Sequence, residues 1–306
     1  MLNFDIIFDY RLAEFISKSD VDISNESALS MINDYEDGLW RYDKFYEFIW
    51  NNISETALSK KERESLIDSP YSVLKGAAKN LRLTDSDKDP GKGSEIAEII
   101  LYGILKHHYK TLTVVPKIFY KQNTNDYAKG ADSVHVLINE DNNDFSLWFG
   151  EAKFYKSIVE SSFIEIINSV GKILEADKIK KENKIITNLK DLELCIDDET
   201  ICKNVLETLS DDVSLDQIRP KLHIPILLLY ECNITARYSE KSKSYIDEIS
   251  KYHCARAETY FRKQIDMLSE KPKYKNMHFH LIIFPVPDKQ YIVEQFTNKA
   301  KEFRGK

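Results

Sequence analysis

The sequence predicts an α/β protein with a central mixed β-sheet flanked by helices. Three observations predict it. From Ser94 onward, apolar runs of strand length alternate with amphipathic stretches of helix length. Two of the runs, "HIPILLLYECN" (His223 to Asn233) and "MHFHLIIFPVP", are continuously apolar, as strands buried on both faces are. Hydrophobic residues make up 42% of the 306-residue chain and charged residues 30%, an ordinary globular composition with ample core for one large domain or two modest ones. No internal repeat is present.

Taken in order, the N-terminal part begins with a strand over Leu2 to Tyr10 and continues into several helices. The stretch "LWRYDKFYEFIWNNI" carries Trp40, Phe45, Phe48 and Ile49 at roughly helical spacing. That stripe could stack bases, but a helix packed on the core accounts for it more simply. "TDSDKDPGKG" (Thr84 to Gly93) is the clearest breaker in the chain. It divides an N-terminal α/β region, 1–85, from a second region, 86–306. "SEIAEIILYGILKHHYK" then reads as a helix, with Ser94 as its N-cap and Ile96, Ile99, Ile100, Tyr102 and Leu105 on its apolar face.

Three strand patterns follow: "LTVVPKIFYK", "ADSVHVLI" and "FSLWFGEAKF", joined by two hairpin-like links. "ESSFIEIINSVGKILEADKI" is an amphipathic helix with Phe163, Ile166, Ile167, Val170, Ile173 and Leu174 on one face. The two continuously apolar strands come later, separated by a long polar helix over about Lys243 to Leu268. A last helix covers Lys289 to Phe303. Between the amphipathic helix and "HIPILLLY", residues 191–216 hold nine acidic residues against one lysine. Such a run is expected to be a solvated face, with partner docking as the minority reading.

The formal charge of −7 argues against a protein that coats nucleic acid broadly. The charge is uneven, however. Residues 75–129 hold ten basic residues against six acidic, so the rest of the chain carries a net −11. Lys75, Lys79, Arg82, Lys88, Lys92 and Lys129 lie in that basic zone and are candidate contacts to backbone phosphates. The opening residues "MLNFDIIFDYRL" do not read as a signal peptide, and no apolar run reaches the ~18 residues a membrane span needs. Cys195, Cys202, Cys232 and Cys254 show no CxxC spacing and read as reduced thiols of a cytoplasmic protein.

The chemistry concentrates in "KGADSVHVLINEDNNDFSLWFGEAKFYK" (Lys129 to Lys156). Strand side chains alternate faces with a period of two. Asp132 therefore shares a face with Val134, Val136 and Ile138, and Glu151 and Lys153 share one with Phe145, Leu147 and Phe149. Ala152 points the other way. If the two runs pair as a hairpin, Asp132 lies beside Glu151 at the open end. Two carboxylates so placed repel unless a cation or proton lies between them, and burial raises the cost. Mg²⁺ or Mn²⁺ resolves it, since such ions take one or two carboxylates plus phosphate oxygens and water. A neighbouring lysine suits phosphoryl chemistry, orienting water or stabilising charge that builds on phosphate. Glu95 and Glu98, three apart on the preceding helix, project from nearly one side. Glu98 lies deeper in the apolar run and is the favoured of the two. The alternative is a structural salt-bridge cluster in which Lys153 satisfies both carboxylates without metal.

These residues resemble the PD-(D/E)XK nuclease superfamily. Within it, "SEIAEIILYGIL … KGADSVHVLI … LWFGEAKF" is similar to the HamA family, effector nucleases of the Hachiman anti-phage system, most firmly from about 93 to 178. The resemblance implies a restriction-endonuclease-like core, with 86–306 as the nuclease domain and its C-terminal strand–helix additions. It implies Asp132 as the motif aspartate, Glu151 as the motif acid, Lys153 as the motif lysine, and Glu98 or Glu95 as the helix acid. It also implies the Ala152 backbone carbonyl as a metal ligand. Ala131 stands where the motif name has proline. The implied activity is Mg²⁺-dependent cleavage of DNA, held in check by and working with a partner of the HamB type, a superfamily 2 helicase. A non-catalytic adaptor with a nuclease-like fold, a restriction-type enzyme and an RNA nuclease are the alternatives.

Other constellations carry less. His107 and His108 end a helix and are expected to face solvent or phosphate. His278 and His280 share one strand face without an evident third ligand. No GxxxxGK[ST] occurs, so the chain should not hydrolyse ATP itself.

Overall fold

A computed structural model describes residues 2–11, 25–83, 93–121, 130–139, 144–188, 191–196 and 198–305. Seven strands form one mixed sheet in the order β1-β2-β9-β8-β7-β6-β5. They are β1 (Asp5–Arg11), β2 (Glu26–Ile32), β5 (Leu112–Val115), β6 (Ser133–Asn139), β7 (Asp144–Tyr155), β8 (Leu222–Glu231) and β9 (His278–Val286). A separate two-residue ribbon pairs β3 (Tyr35–Glu36) with β4 (Leu39–Trp40). The central strands β7, β8, β9 and β2 run parallel to one another, and the outer pairs β1–β2, β6–β7 and β5–β6 are antiparallel. The predicted α/β class with a mixed sheet is therefore the observed one.

The two continuously apolar runs occupy the middle, as their pattern requires. Ile224 and Ile226 to Leu229 of β8, and Leu281 to Phe284 of β9, are all buried. β2 carries no comparable signal in the sequence. Its run "ESALSMI" interleaves serine and alanine with apolar residues, yet all but one of its residues are buried between β1 and β9. Small side chains suit a strand covered on both faces, but they give no periodicity to read.

Helices cover both faces. On one lie α1 (Tyr42–Ala57), α3 (Pro70–Asn80), α4 (Ser94–His107) and α13 (Lys289–Arg304), whose buried residues join Leu227, Leu229, Ile282 and Phe284 of the sheet. The short α2 (Lys60–Ser65) lies between α1 and α3. Trp40, Phe45, Phe48 and Ile49 sit wholly in that core, so the aromatic stripe is packing and not a base-stacking surface. On the other face lie α6 (Glu160–Ile173), α7 (Ala176–Asn188), α9 (Glu199–Thr208) and α12 (Lys243–Leu268), packed on Val134, Val136, Leu147 and Phe149.

Three local expectations are corrected. "LTVVPKIFYK" is strand only as far as Val115; Pro116 has no N–H for the ladder, and α5 (Lys117–Lys121) begins just after it. α4 is capped by Gly93 rather than Ser94, which is its first helical residue. The amphipathic helix stops at Ile173, and α7 starts anew at Ala176.

The acidic segment folds as α8 (Asp191–Cys195), α9 and α10 (Leu215–Ile218). Glu193, Asp198, Glu199, Glu207, Asp211, Asp212 and Asp216 are exposed as expected, while Leu192, Ile196, Ile201, Val205 and Leu209 are core. The short α11 (Asn233–Arg237) follows β8.

One glycine sets how closely α4 lies on the sheet. A Cβ on Gly150 of β7 would lie 2.2 Å from Ser133 Oγ and 2.8 Å from Leu101 Cδ2 of α4. Gly150→Ala is expected to destabilise the protein by about 1–3 kcal/mol through overpacking, measured by urea unfolding; unchanged stability would mean that α4 can move away.

Candidate active site

β6 pairs with β7 only as far as Ser133↔Gly150. Beyond Gly150, β7 keeps β8 on one side, with Glu151↔Ile226 to Tyr155↔Tyr230 in register. On its other side stands Asp132. The Asp132 N–H donates to Gly150 O at 2.8 Å, and its Oδ2 accepts the Ala152 N–H at 3.2 Å. A carboxylate thus takes over from a backbone partner at the point where the ladder ends. The residue's N–H and C=O leave a strand on the same edge, so the Ala152 carbonyl faces the gap that Asp132 lines.

Parity behaves as the sequence predicts. The Ala152 side chain is buried with Trp148 and Leu101 on the α4 face, whereas Phe149 and Leu147 belong to the α6 face. Glu151 follows Phe149 in that alternation. It is 5% exposed and ion-paired to Lys153, Nζ to Oε1 2.9 Å. Burial pushes the Glu151 carboxyl up to about 7, with the neighbouring Asp132 charge adding to the rise; Lys153 and a hydrogen bond from Ser169 of α6 pull the other way. Lys153 shows the reverse balance. Burial works against its charge, but Glu151 and Asp132 outweigh it, and its ammonium is held above the ordinary lysine value. Lys153 is therefore a fixed cation at neutral pH, suited to stabilising charge on a phosphate rather than to accepting a proton.

The two helix acids separate. Glu95 accepts the backbone N–H groups of Arg82 (2.8 Å) and Leu83 (3.4 Å), tying the end of α3's trailing segment to the first turn of α4. Glu98, one turn on, is buried. The Tyr102 hydroxyl, a further turn along, is raised by burial despite a bond from the Lys117 amide, and the charges of Glu98, Glu182 and Asp132 add to the rise. The charges of Glu98 and Asp132 thus act on one buried hydroxyl, and Glu95 holds the backbone ahead of α4.

The remaining expectations sort quickly. Among the described residues no three His, Cys, Asp or Glu side chains form a group able to hold a metal. Asp132 caps the Ala152 amide and its charge acts on the adjoining Glu151, and hard oxygen donors of that kind fit Mg²⁺ or Mn²⁺. His107 meets Asn52 Oδ1 at 3.0 Å and His108 meets Asp9 at 2.9 Å. His278 and His280 do gain a third histidine, His223, whose Nδ1 lies 2.9 Å from His280 Nε2. The rings stack on one another and on Trp148, an arrangement of packing rather than ligation. No disulfide joins any of the four cysteines. No helix among the described residues is long and apolar enough to cross a membrane.

The HamA family model matches residues 10–300, nearly the full length. This chain belongs to the HamA family. That membership relates it to Hachiman antiviral defence. No curated protein matches the chain.

In this member of the HamA family, some residues near the gap carry no motif signal. Glu165 of α6 lies where its charge acts on Lys153 and on the Tyr155 hydroxyl. Ser169 is one turn further along the same helix, and the i, i+4 spacing that brings both to the gap is the one sequence cue that could have found them. Of the basic candidates, Lys75 and Lys79 are exposed on α3, and exposed Arg82 lies beside the first turn of α4. Lys88, Lys92 and Lys129 lie outside the described residues.

Proposed function

We propose that this chain is a divalent-cation-dependent DNA endonuclease of antiviral defence, restrained by and working with a superfamily 2 helicase of the HamB type. The observation that carries the reading is Asp132 set against the Ala152 amide across the end of the β6–β7 pairing, with Glu151 and Lys153 on the adjoining stretch of β7. α4, β5, β6, β7, α6 and β8 would then be the restriction-endonuclease-like core, in that chain order.

Asp132, Glu151 and the Ala152 carbonyl would hold Mg²⁺ or Mn²⁺, with Glu98 behind them. The ion, when bound, supplies Lewis acidity toward phosphate and lowers the pKa of water. The chain's own residues do the rest. Lys153 brings positive charge to the non-bridging oxygens, on which negative charge grows as a water oxygen attacks phosphorus and the P–O bond to the leaving oxygen breaks. Burial of Glu151 against α6 keeps bulk water from one side of the gap. Lys75, Lys79 and Arg82 provide backbone contacts without base readout, so binding would weaken steeply with salt.

The pairing of Glu151 with Lys153 favours a second reading, a non-catalytic adaptor in which this ion pair is structural. Incubating plasmid with Mg²⁺ and the purified chain, alone and with its partner, separates the two. Cleavage lost in Glu151→Ala is the expected result; equal cleavage by Glu151→Ala and wild type would sink the nuclease assignment. The acidic segment offers a test of restraint by the partner. Because its apolar residues are core, the test is substitution rather than deletion: Glu193→Ser with Glu199→Ser and Asp212→Ser should alter partner affinity or basal cleavage while the melting temperature holds. No change in either would remove the segment from the interface.

A further inference from the structure

A buried ion pair lies directly behind Asp132. Lys117 Nζ of α5 contacts both carboxylate oxygens of Glu182 of α7, at 2.9 and 2.7 Å, and the two side chains are 0% and 2% exposed. A buried pair on its own is weak evidence of anything beyond packing, since such pairs are often replaceable by apolar residues. This one has a third partner. Glu182 Oε1 also accepts the Ala131 N–H at 3.0 Å. Ala131 lies ahead of the first β6 residue, Ser133, and no strand pairing reaches it. Its buried N–H would have no ladder partner, and Glu182 supplies one.

The fit is close. A Cβ on Gly130 would lie 1.9 Å from Glu182 Oε1, so the chain can approach the carboxylate only with glycine there. Lys117 is itself fixed, its N–H donating to the Tyr102 hydroxyl (3.1 Å), which donates to Val115 O (2.6 Å). The chain of contacts runs from α4 through α5 and α7 to Ala131, and the next residue is Asp132, bonded to β7 at Gly150 O and the Ala152 N–H.

We propose that Glu182, neutralised by Lys117, is a positioning residue for Asp132: it fixes the backbone immediately ahead of that carboxylate and so holds it at the gap for a divalent cation. The proposal rests on the reading of Asp132 as a metal ligand. Ligand carboxylates need placement to about half an ångström, and groups that orient ligands change metal affinity by roughly 10–100-fold when lost.

Two charge-neutral double variants isolate the contact. Lys117→Met with Glu182→Leu removes the ion pair and the acceptor. Lys117→Met with Glu182→Gln removes the charges but keeps an amide oxygen for the Ala131 N–H. The readouts are amide hydrogen exchange at Ala131 and Asp132 in the metal-free protein, the melting temperature, and Mn²⁺ affinity by calorimetry, with Asp132→Ala measured alongside. The Leu variant is expected to lose at least about tenfold of its exchange protection and about 10–100-fold in Mn²⁺ affinity. The Gln variant should restore both to within about threefold of wild type, the mark of an acceptor rather than of charge or packing. Wild-type protection and affinity in the Leu variant would overturn the positioning role. If that variant does not fold, Gly130→Ala carries the same test, because its Cβ displaces the carboxylate without changing any charge. Equal Mn²⁺ binding by Asp132→Ala and wild type would instead overturn the metal reading, and exchange in the metal-free protein would still decide the positioning.

Discussion

Cleavage by Asp132→Asn is expected to fall on the order of 10³-fold, the scale of losing one preorganised electrostatic group, while the melting temperature moves by only a few degrees. The substitution separates two functions of the same side chain. Asn Oδ1 can still accept the Ala152 N–H that Asp132 Oδ2 takes at 3.2 Å, and the backbone bond to Gly150 O is untouched. What goes is the negative charge. With it goes part of the repulsion that raises Glu151, so the fold has no reason to weaken. A loss of kcat with little loss of stability would show that Asp132 is held at the end of the ladder for its charge. Wild-type cleavage by Asp132→Asn would remove Asp132 from the chemistry and leave it as a strand cap. Lys153→Met is the companion measurement. Its loss should lower cleavage by a similar order and leave Mn²⁺ affinity largely intact, since the lysine contributes charge and not a ligand.

How much of this was legible in the sequence follows from which signals are periodic. The amphipathic run of α6, the long polar helix α12 and the continuously apolar runs of β8 and β9 could be read directly, because a helix packed on one face repeats every third or fourth residue and a strand buried on both faces is apolar throughout. Period-two alternation also placed Asp132 opposite Glu151 and turned Ala152 away from them. β2 could not be read, because its small residues pack on both faces and leave no alternation. The end of β5 was hidden by "KIFYK", which is as apolar as a strand, and only the missing N–H of Pro116 distinguishes it. Within the candidate site, Asp132, just ahead of β6, and Glu151 and Lys153 on β7 were singled out through local spacing. Glu165, Ser169, Lys117 and Glu182 were not, since they come from helices, and strand alternation says nothing of which helical side chains meet β7 or the segment ahead of β6. Glu95 and Glu98 lie near one side of α4, and nothing in the sequence signals that Glu95 holds the Arg82 and Leu83 amides.

The second large effect concerns pH. Glu151 titrates at about 7 in the folded protein against an ordinary value of 4.5, because it is buried beside Asp132. A carboxyl raised in this way binds its proton more tightly folded than unfolded. The metal-free protein should accordingly lose stability as pH rises from about 4.5 to about 7, and nothing further from this group above that. At 1.36 kcal/mol per unit the loss is about 3 kcal/mol. A divalent cation reverses the sign. It requires the ionised carboxylate, so binding must expel the proton below pH 7 and need not do so above it. Cation affinity should fall by about tenfold per unit below pH 7 and level off above it. Melting curves from pH 5 to 8, with and without Mn²⁺, test both halves: the metal-free melting temperature should decline up to about pH 7 and then level, and the increment due to Mn²⁺ should grow up to the same point. Glu151→Gln is neutral at every pH and should flatten both curves. If Glu151→Gln keeps the wild-type pH dependence, the buried carboxyl is not its source. If wild type shows the metal-free decline but no increment from Mn²⁺ at pH 8, the strain at Glu151 is real and the cation is not what relieves it; Lys153, already 2.9 Å away, would then be its lasting partner and the adaptor reading would stand.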